Sequence, residues 1–449
     1  MTSTQEFDYA IIGGGAAGTM VAIRLLEGAQ ADTRIALIEA GEPGRGVAYG
    51  SDNPAHVLNV PAGGMSLFAE RPDDFVEFLR ARDGEVDAAA FVPRREYAAY
   101  LAQRLDEARQ ASAAEWTQIR ASVSRVQPRG DVVVLDLDEG HQVIARHVAL
   151  APGNRARAVP FSTDGDRRVL SAWDHAGLQQ IGLEDSVVMV GSGLSMVDVV
   201  LGLQARGHRG DVTVVSRHAL LPLPHAANKH KLSFDIDAFA ALGLRDRVHR
   251  LRAVAREMND EGLPWQSLMD ALRHHVRELW QSLSMHDQRR FLRHAVRYWD
   301  VHRHRIPREV ASGLETLRDA GTLTVMPGRV TSAMADAGGL AIDVDQRGAG
   351  EARLNAAWLV NATGIETRAA HYPNPMLRAL LEDGVARPGP LGLGIDTDAH
   401  AGVINAQGLV QTNVAAIGSL RLGKLWETTA VPDLRVDAFD LAKRWLQQD

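Results

Sequence analysis

The sequence contains two stretches in which an apolar strand-like run, a glycine loop and a helix-like run follow one another. The first has apolar residues at 9–12, glycines within 13–18 and a helical apolar pattern at 19–26. The second has the runs 186–190 and 197–203 on either side of a loop at 191–196. Another strand-like run follows each, at 34–38 and at 211–215. This order is typical of βαβ folds that bind nucleotides.

The remaining pattern predicts the elements around these two folds. Alternating runs at 132–137 and 143–150 predict a small antiparallel sheet, and residues 91–105 predict a helix. Residues 265–299 are helical by their apolar period, within a glycine-poor stretch from 220 to 307. Strand-like runs resume at 323–326 and 358–364, and residues 414–419 form a last one.

Two similar exits from strands, at 151–153 and 362–364, flank the second nucleotide fold. We therefore predict an α/β protein with two Rossmann-like dinucleotide-binding domains, the second inserted into the first. The first domain would comprise residues 1–160 and 331–449. The second would comprise residues 161–330 and would carry a helical insert at about 220–307.

The first loop fits the pattern G-x-G-x-x-G at Gly13, Gly15 and Gly18. Gly13 allows the tight turn, Gly15 lets a pyrophosphate approach the backbone, and Gly18 lets the helix pack on the strand. The helix N-terminus at Ala16 and Ala17 would bind the phosphates through its free N–H groups. A purely structural glycine turn is the alternative, and the complete strand–loop–helix–strand order favours the nucleotide.

The second loop predicts a nucleotide site at Gly191, Gly193, Leu194 and Ser195. Met196 stands where the third glycine would be, which implies a wider spacing between helix and strand. The motif alone is therefore weaker, and an ordinary βαβ unit is the alternative.

The residues after the second strand of each fold differ, and this difference predicts two kinds of nucleotide. Glu39 ends the first such strand, where a carboxylate can accept hydrogen bonds from a ribose 2′-hydroxyl. The corresponding place in the second fold holds Ser216 and Arg217. Arg217 can pair with a 2′-phosphate and Ser216 can donate to it, so the pattern favours NADPH and leaves NADH open.

Composition narrows the function without identifying it. The 449 residues carry 49 Lys and Arg against 56 Asp and Glu, and this net charge of -7 gives no case for nucleic acid or an anionic membrane. Neither a signal peptide pattern nor an apolar run of membrane-spanning length occurs, which predicts a cytoplasmic protein. The chain has no cysteine, which excludes a thiolate metal site and the disulfide reductases that use a C-x-x-C pair.

The stretch from 220 to 307 is rich in Arg and His. No carboxylate spacing supports metal ligation and the arginines would repel a cation, so we predict a solvated or anion-facing helical surface and no metal. Arg303 and Arg305 are candidates for reaching a cofactor phosphate or an acidic substrate. An anionic small-molecule substrate is one interpretation of these charges, and service to the NADPH phosphates alone is the other.

Five segments together resemble the bacterial FAD/NAD(P)-binding protein family over nearly the whole chain, namely residues 44–49, 58–61, 191–198, 302–307 and 426–432. The chain is more distantly similar to N-hydroxylating and Baeyer–Villiger flavin monooxygenases. The resemblance implies FAD at the first loop, a pyridine nucleotide at the second, and a flavin bordered by residues 426–432. Further cofactor contacts are predicted at Arg45, Gly153, Gly364, Gly418, Trp426, Thr428 and Thr429.

Two departures from the wider flavoprotein pattern qualify the resemblance. Ser419 follows Gly418 where many relatives have an aspartate on the ribityl chain, and the histidine fingerprint of Baeyer–Villiger enzymes is not found.

A helix expected to begin near Thr428 would place its N–H groups at the edge of a reduced flavin.

The leading hypothesis is an FAD-dependent, NADPH-using oxidoreductase of monooxygenase type that acts on a small molecule. Asn59 and His225 are the candidates for lining the flavin, and a structural hydrogen-bonding role is the alternative for each. A flavin-dependent dehydrogenase or oxidase is the second hypothesis. A nucleotide sensor or scaffold without turnover is the third.

Overall fold

The protein is described here by a computed structural model that covers residues 5–228, 230–346 and 348–448. The chain forms two compact units. Unit 1 consists of Met1–Arg155 and Glu366–Asp449, and unit 2 consists of Ala156–Ile365. The predicted α/β fold with one nucleotide-binding domain inserted into the other is confirmed.

The first segment of unit 1 contains β1 (Gln5–Ile12), α1 (Ala16–Gly28), β2 (Arg34–Ile38), α2 (Gly46–Tyr49), α3 (Asp74–Asp83), α4 (Arg94–Ala111), β3 (Glu115–Ile119), β4 (Val123–Arg129), β5 (Val132–Leu137) and β6 (Gln142–Leu150). Unit 2 contains β7 (Ser162–Thr163), β8 (Val169–Ser171), α5 (His175–Leu178), β9 (Val187–Val190), α6 (Leu194–Ala205), β10 (Val212–Ser216), α7 (Ile236–Ala240), α8 (Leu244–Asp260), α9 (Gln266–Arg273), α10 (Val276–Gln281), α11 (Met285–His294), α12 (Val296–Arg303), α13 (Arg308–Asp319), β11 (Leu323–Pro327), β12 (Arg329–Asp336), β13 (Gly339–Gln346), β14 (Gly350–Ala356) and β15 (Trp358–Asn361). The chain then returns to unit 1 with α14 (Pro375–Glu382), β16 (Gly402–Ile404), β17 (Val410–Ala416), α15 (Leu422–Leu425) and α16 (Val431–Leu446). Short 3₁₀ turns lie at Ala62–Gly64, Asp138–Gly140, Ala369–His371, Pro390–Gly392 and Gly418–Arg421.

Unit 1 is built on a sheet with the strand order β16-β17-β6-β1-β2-β3, to which the β4–β5 hairpin is added along β6. Alternation along β1 buries both faces of the sheet: Tyr9 and Ile11 pack among α1, α4 and α16, whereas Ala10 and Ile12 pack with the β5 and α14 side. The predicted antiparallel pair at 132–150 forms, and β6 continues from it into the parallel sheet. The parallel strands β1, β2, β6 and β17 therefore direct their carboxyl ends to one edge.

Unit 2 is built on a parallel sheet with the order β11-β10-β9-β15-β8. Val187 and Met189 of β9 face the core beside α6, and Val188 and Val190 face a smaller sheet of β12, β13 and β14 with β7. Unit 2 ends at Ile365, beyond the boundary at residue 330 that the sequence suggested. The reason is that β12–β14 pack on this sheet and β15 pairs with β9 inside it.

The insert of unit 2 is helical, as predicted, and consists of several short helices. Residues 265–299, which the apolar period predicts to be helical, form α9, α10, α11 and most of α12. Two small apolar clusters join helices of the insert: one joins α7, α9, α10 and α12 around Leu272, and the other joins α8 to α9 around Leu268. Arg247 joins α8 to this assembly, because its buried guanidinium donates to the carbonyl oxygens of Ala240, Leu242 and Leu279 at 2.5, 2.9 and 2.6 Å.

Candidate functional site

The first glycine of each loop is required by the packing of the chain itself. Gly13 and Gly191 have φ angles of 99° and 104°, a region that favours glycine. A Cβ atom at Gly13 would lie 2.1 Å from the carbonyl oxygen of Ala151, and one at Gly191 would lie 2.4 Å from that of Ala362. Both units therefore repeat one geometry, in which the loop passes under the end of a neighbouring strand.

The packing of the protein does not require a glycine at the second glycine position of each loop. Gly15 and Gly193 have φ angles of -67° and -88°, which any residue adopts. A Cβ atom at Gly15 would come no closer than 3.8 Å to its nearest neighbour, and one at Gly193 would meet no described atom within 4 Å. Both residues are the N-caps of long helices, α1 and α6. Because glycine has no side chain, it leaves space open at the helix N-terminus. A phosphate can approach the backbone closely in that space.

The third position differs between the two loops, as the sequence indicated. A Cβ atom at Gly18 would lie 1.8 Å from the carbonyl oxygen of Gly13, so α1 rests directly on the loop. Met196 is completely buried in the core of unit 2 and occupies the corresponding place on α6. Its side chain therefore belongs to the apolar core, whereas α1 has a glycine at this place.

Glu39 lies beside the first loop and is held there by backbone groups. One of its carboxylate oxygens accepts a hydrogen bond from the N–H of Gly14 at 2.6 Å, and the other accepts one from the N–H of Gly41 at 2.8 Å. The carboxylate is therefore oriented at the end of β2, next to the N-terminus of α1. This placement suits the predicted contact with a ribose hydroxyl.

The segment 44–49 also passes over the first loop. The N–H of Gly44 donates to the carbonyl oxygen of Gly14 at 2.7 Å, and a Cβ atom at Gly46 would lie 3.1 Å from the Cα atom of Gly15. Arg45 is engaged within its own loop, since it pairs with Asp52 at 2.5 Å and donates to the carbonyl oxygen of Gly50 at 2.9 Å. A cofactor contact by Arg45 would have to compete with these interactions.

The predicted helix near Thr428 begins later, at Val431, and is α16. The chain first turns at Trp426, whose φ of 63° and ψ of -71° place it at the centre of a three-residue turn closed by a 2.9 Å hydrogen bond from Glu427 to Leu425. Thr428 is buried and donates to the carbonyl oxygen of Gly418 at 3.2 Å. The hydroxyl of Thr428 therefore faces the protein, while Thr429 is exposed.

Gly418, Gly153 and Gly364 all lie where strands leave the carboxyl edges of the sheets. Gly418 has a φ of 72° and lies near α1, because a Cβ atom at Gly418 would be 3.9 Å from the Cβ atom of Ala17. Gly153 and Gly364 have φ angles of 70° and 91° and follow β6 and β15. Ser419 lines a cavity together with Gly153, Arg155, Glu366, Tyr372 and Leu377. The cavity lies within unit 1, at the carboxyl ends of β6 and β17.

Ser216 and Arg217 lie at the carboxyl end of β10. The hydroxyl of Ser216 is 2.9 Å from that of Ser192 in the second loop, and it accepts from the N–H of Ala219 at 3.1 Å. Partial burial lowers the pKa of the Arg217 guanidinium, and the positive charges of neighbouring arginines lower it further. These arginines are Arg297, Arg329 and Arg157. No signal in the sequence indicated them, because they are distant along the chain: Arg297 lies on α12, Arg329 begins β12, and Arg157 precedes β7.

Asn59 and His225 belong to different units. Asn59 is half-buried in unit 1. His225 is half-buried in unit 2, where its backbone N–H donates to the carbonyl oxygen of Ile306 at 3.0 Å. Arg305 is buried, pairs with Asp270 and donates to the carbonyl oxygen of Gln266 at 3.2 Å. These partners commit Arg305 to holding the insert, so the expectation that it reaches a phosphate or substrate is not supported.

The described residues show neither a metal site nor a membrane-spanning helix. Over 5–228, 230–346 and 348–448, no group of three or more His, Asp or Glu side chains is placed to hold a metal ion. In the same part of the chain, no helix combines the length and apolar character needed to cross a membrane.

The model of a protein family described as FAD-NAD(P)-binding matches residues 10–155. The match covers the first loop and the strands on either side of it, and it confirms the predicted FAD/NAD(P)-binding character of this part of the chain. No protein of curated function matches the sequence.

Solved structures share the fold over almost their full length at low sequence identity. The ornithine hydroxylase PvdA from Pseudomonas aeruginosa is 17% identical, with a TM-score of 0.66 over 98% of this chain and 99% of that chain. The ornithine N-hydroxylase of Kutzneria sp. 744, with reduced FAD, NADP⁺ and L-ornithine, is 16% identical, with a TM-score of 0.64 over 99% of both chains. A bacillithiol disulfide reductase from Bacillus cereus is 14% identical, with a TM-score of 0.57 over 99% of this chain and 100% of that chain.

Proposed function

We propose that the protein is an FAD-dependent, NADPH-using oxidoreductase of monooxygenase type that acts on a small molecule. The observation that carries the proposal is the pair Gly15 and Gly193, two glycines at helix N-termini that the packing of the protein does not require. A diphosphate lying against each loop explains both residues. Two dinucleotides in one chain are what hydride transfer between a pyridine nucleotide and a flavin requires.

In this proposal, unit 1 holds FAD. The N–H groups at Ala16 and Ala17 would bind the diphosphate, and Glu39 would accept from the ribose hydroxyls. Because Gly14 and Gly41 already orient both oxygens of Glu39, the carboxylate loses little freedom when the ribose binds. The flavin would extend past Gly418 towards the start of α16, where free N–H groups favour negative charge on the reduced ring. Bound FAD would supply hydride acceptance and oxygen activation.

Unit 2 would hold NADPH in the same manner. Gly191, Gly193, Leu194 and Ser195 would receive the diphosphate at the N-terminus of α6. Arg217 would pair with the 2′-phosphate, which distinguishes NADPH from NADH. Asn59 and His225 stay as proposed residues of the flavin environment, and each would act by hydrogen bonding near the reacting ring.

Oxygen transfer to a small molecule is preferred over disulfide reduction for a chemical reason. The fold is shared with ornithine hydroxylases and with a disulfide reductase, so the fold alone does not choose between them. A dithiol relay needs cysteine, and the chain contains none. The hydroxylases act on ornithine, so an amine of that kind is the first substrate to test.

The test is an anaerobic titration of the FAD-loaded protein with NADPH and, separately, with NADH, followed through the oxidised flavin absorbance. We expect bleaching by NADPH and a strong loss of that rate in Arg217→Ala, whereas the slower reduction by NADH should not change. Reoxidation in ¹⁸O₂ with ornithine then asks whether one labelled oxygen atom enters the product. Failure of both nucleotides to reduce the flavin, with substrate present or absent, would overturn the proposal.

A further inference from the structure

Two arginines from neighbouring strands leave the sheet of unit 2 at the same edge. Arg217 follows β10, and Arg329 begins β12 two residues after Pro327, the last residue of β11. β10 and β11 are parallel neighbours in which Ser216 is paired with Pro327. Adjacent strands lie about 5 Å apart, so these side chains start from neighbouring positions at the carboxyl edge.

The backbone between β11 and β12 fixes where Arg329 begins. The N–H of Gly328 donates to the carbonyl oxygen of Ser216 at 2.9 Å, which ties the turn directly to the residue before Arg217. A Cβ atom at Gly328 would lie 2.7 Å from the Cγ1 atom of Val344, so the turn is packed closely against β13. The position of Arg329 is therefore set by the fold and not by a free loop.

The positive charges at this edge are only partly balanced by the protein, since Asp345 of β13 is the strand-pair partner of Arg329. Within the described parts of the chain, neither Arg217 nor Arg329 forms a salt bridge, and both side chains reach solvent. Arg297 of α12 contributes a further positive charge nearby and pairs with Asp300 at 3.1 Å. Like charges held together cost free energy, and a dianion placed among them would remove that cost.

We propose that Arg329 is a second guanidinium contact to the 2′-phosphate of NADPH. The Arg217–Arg329 pair, and not Arg217 alone, would then determine the preference for NADPH over NADH. This inference rests on the proposed function, because it requires a pyridine nucleotide on the second glycine loop. It adds a residue that lies 112 positions beyond Arg217 (329 - 217) and that belongs to no nucleotide motif.

The experiment measures dissociation constants by calorimetry on the FAD-loaded protein. The oxidised nucleotides NADP⁺ and NAD⁺ stand in for NADPH and NADH, because they cannot reduce the flavin during the titration, and 2′,5′-ADP carries the phosphate without the nicotinamide. The variants are Arg329→Ala, Arg329→Lys, Arg217→Ala and the double Ala variant. Arg318→Ala is the matched control, because Arg318 is an exposed arginine of the same unit, on α13, and has no salt bridge to a described residue.

We expect Arg329→Ala to weaken NADP⁺ and 2′,5′-ADP about 10- to 100-fold, the value of one charged hydrogen-bonding contact, and to leave NAD⁺ unchanged. Arg329→Lys should keep part of the affinity, because it retains the charge but not the planar fork. The double variant should bind NADP⁺ no better than NAD⁺. Arg318→Ala should match the wild type.

Two results separate the failure of this inference from the failure of the proposed function. If Arg329→Ala behaves like Arg318→Ala, or weakens NADP⁺ and NAD⁺ equally, while Arg217→Ala still discriminates, Arg329 has no phosphate role and the proposed function stands. If the FAD-loaded wild type binds none of the three nucleotides, both proposals are wrong.

Discussion

Replacing the second glycine of each loop by alanine separates what the protein needs from what the ligands need. In Gly15→Ala the new methyl group would be 3.8 Å from its nearest neighbour, and in Gly193→Ala it would have no described neighbour within 4 Å. Both backbones are extended, which alanine adopts without strain. Replacing a glycine N-cap by alanine lowers the free energy of unfolding by about 0.5–1 kcal/mol. Alanine also restricts the unfolded chain, which raises the free energy of unfolding by about 0.4–1 kcal/mol. The net change in the free energy of unfolding should therefore be below about 1 kcal/mol.

The effect on ligands should be much larger and should differ between the two variants. A methyl group in the space left open over the helix N-terminus would hold a diphosphate away from the N–H groups behind it. Losing one or two charged hydrogen bonds costs about 2–4 kcal/mol, which corresponds to roughly 30- to 1000-fold in affinity. Gly15→Ala should lose FAD and keep 2′,5′-ADP, because the two loops lie in different units.

The assay combines thermal unfolding, FAD content after gel filtration, and calorimetry with FAD and 2′,5′-ADP. Thermal midpoints are compared on FAD-free protein, since bound FAD itself stabilises the folded state. Gly193→Ala is the internal control of Gly15→Ala, because it should show the opposite pattern. Wild-type FAD affinity in Gly15→Ala would refute the reasoning, and so would a stability loss of more than about 2 kcal/mol, since the glycine would then serve the fold.

Three further predictions concern the fold around the sites. Gly18→Ala places a Cβ atom 1.8 Å from the Gly13 carbonyl oxygen, so it should destabilise unit 1 by about 1–3 kcal/mol or more. The unfolding midpoint of the FAD-free variant should therefore be lower than that of the wild type. An unchanged midpoint would contradict the close packing of α1 on the loop. Arg247→Met removes a buried donor from the carbonyl oxygens of Ala240, Leu242 and Leu279, of which the last still accepts from the hydroxyl of Ser282. We therefore expect about 2–3 kcal/mol of local destabilisation and rapid proteolysis of the insert, with FAD retained and exposed Arg250→Met as control. Resistance of Arg247→Met to protease equal to that of the control would show that the contacts matter little. Burial raises the pKa of Tyr49 from its ordinary 10.0 to about 12, because the folded protein favours the neutral phenol. The contribution of the neutral Tyr49 to the free energy of unfolding is therefore complete below pH 10 and is lost as the pH rises from 10 towards 12. The unfolding midpoint of the wild type should therefore fall more steeply over that range than that of Tyr49→Phe, and coincident curves would disprove the assignment.

The sequence was sufficient for the features that depend on local backbone constraints. Gly13 and Gly191 could be assigned their turns because only glycine adopts their φ angles and fits beneath Ala151 and Ala362. The insertion of one nucleotide fold into the other was visible because the two strand exits have similar sequences. Each of these inferences rests on short local segments, a glycine loop in the first case and the two similar segments 151–153 and 362–364 in the second.

The features that were missed depend on packing between distant segments. The sequence holds no signal that Arg329 approaches Arg217, because that proximity follows from the register of β10 and β11. The unit boundary was placed too early because an antiparallel hairpin such as β12–β13 does not reveal which sheet it packs on. Residues 265–299 are predicted to be helical, but they contain no glycine or proline that would mark where α9, α10, α11 and α12 end.

The division of unit 1 into two segments has a consequence for how the chain folds during synthesis. β6 pairs with β1 along one side, and on the other side Val148, Ala149 and Leu150 pair with β17. The ribosome must synthesise the 263 residues between Leu150 and Val414 (414 - 150 - 1) before β17 can pair with the free side of β6. At the usual rate of translation this takes roughly 10–50 s, during which an apolar strand edge stays open to other chains. Unit 2 is contiguous and can fold first, so the unit that begins the chain is the last to be completed, and slow or stalled translation between Leu150 and Val414 would favour aggregation of the nascent protein.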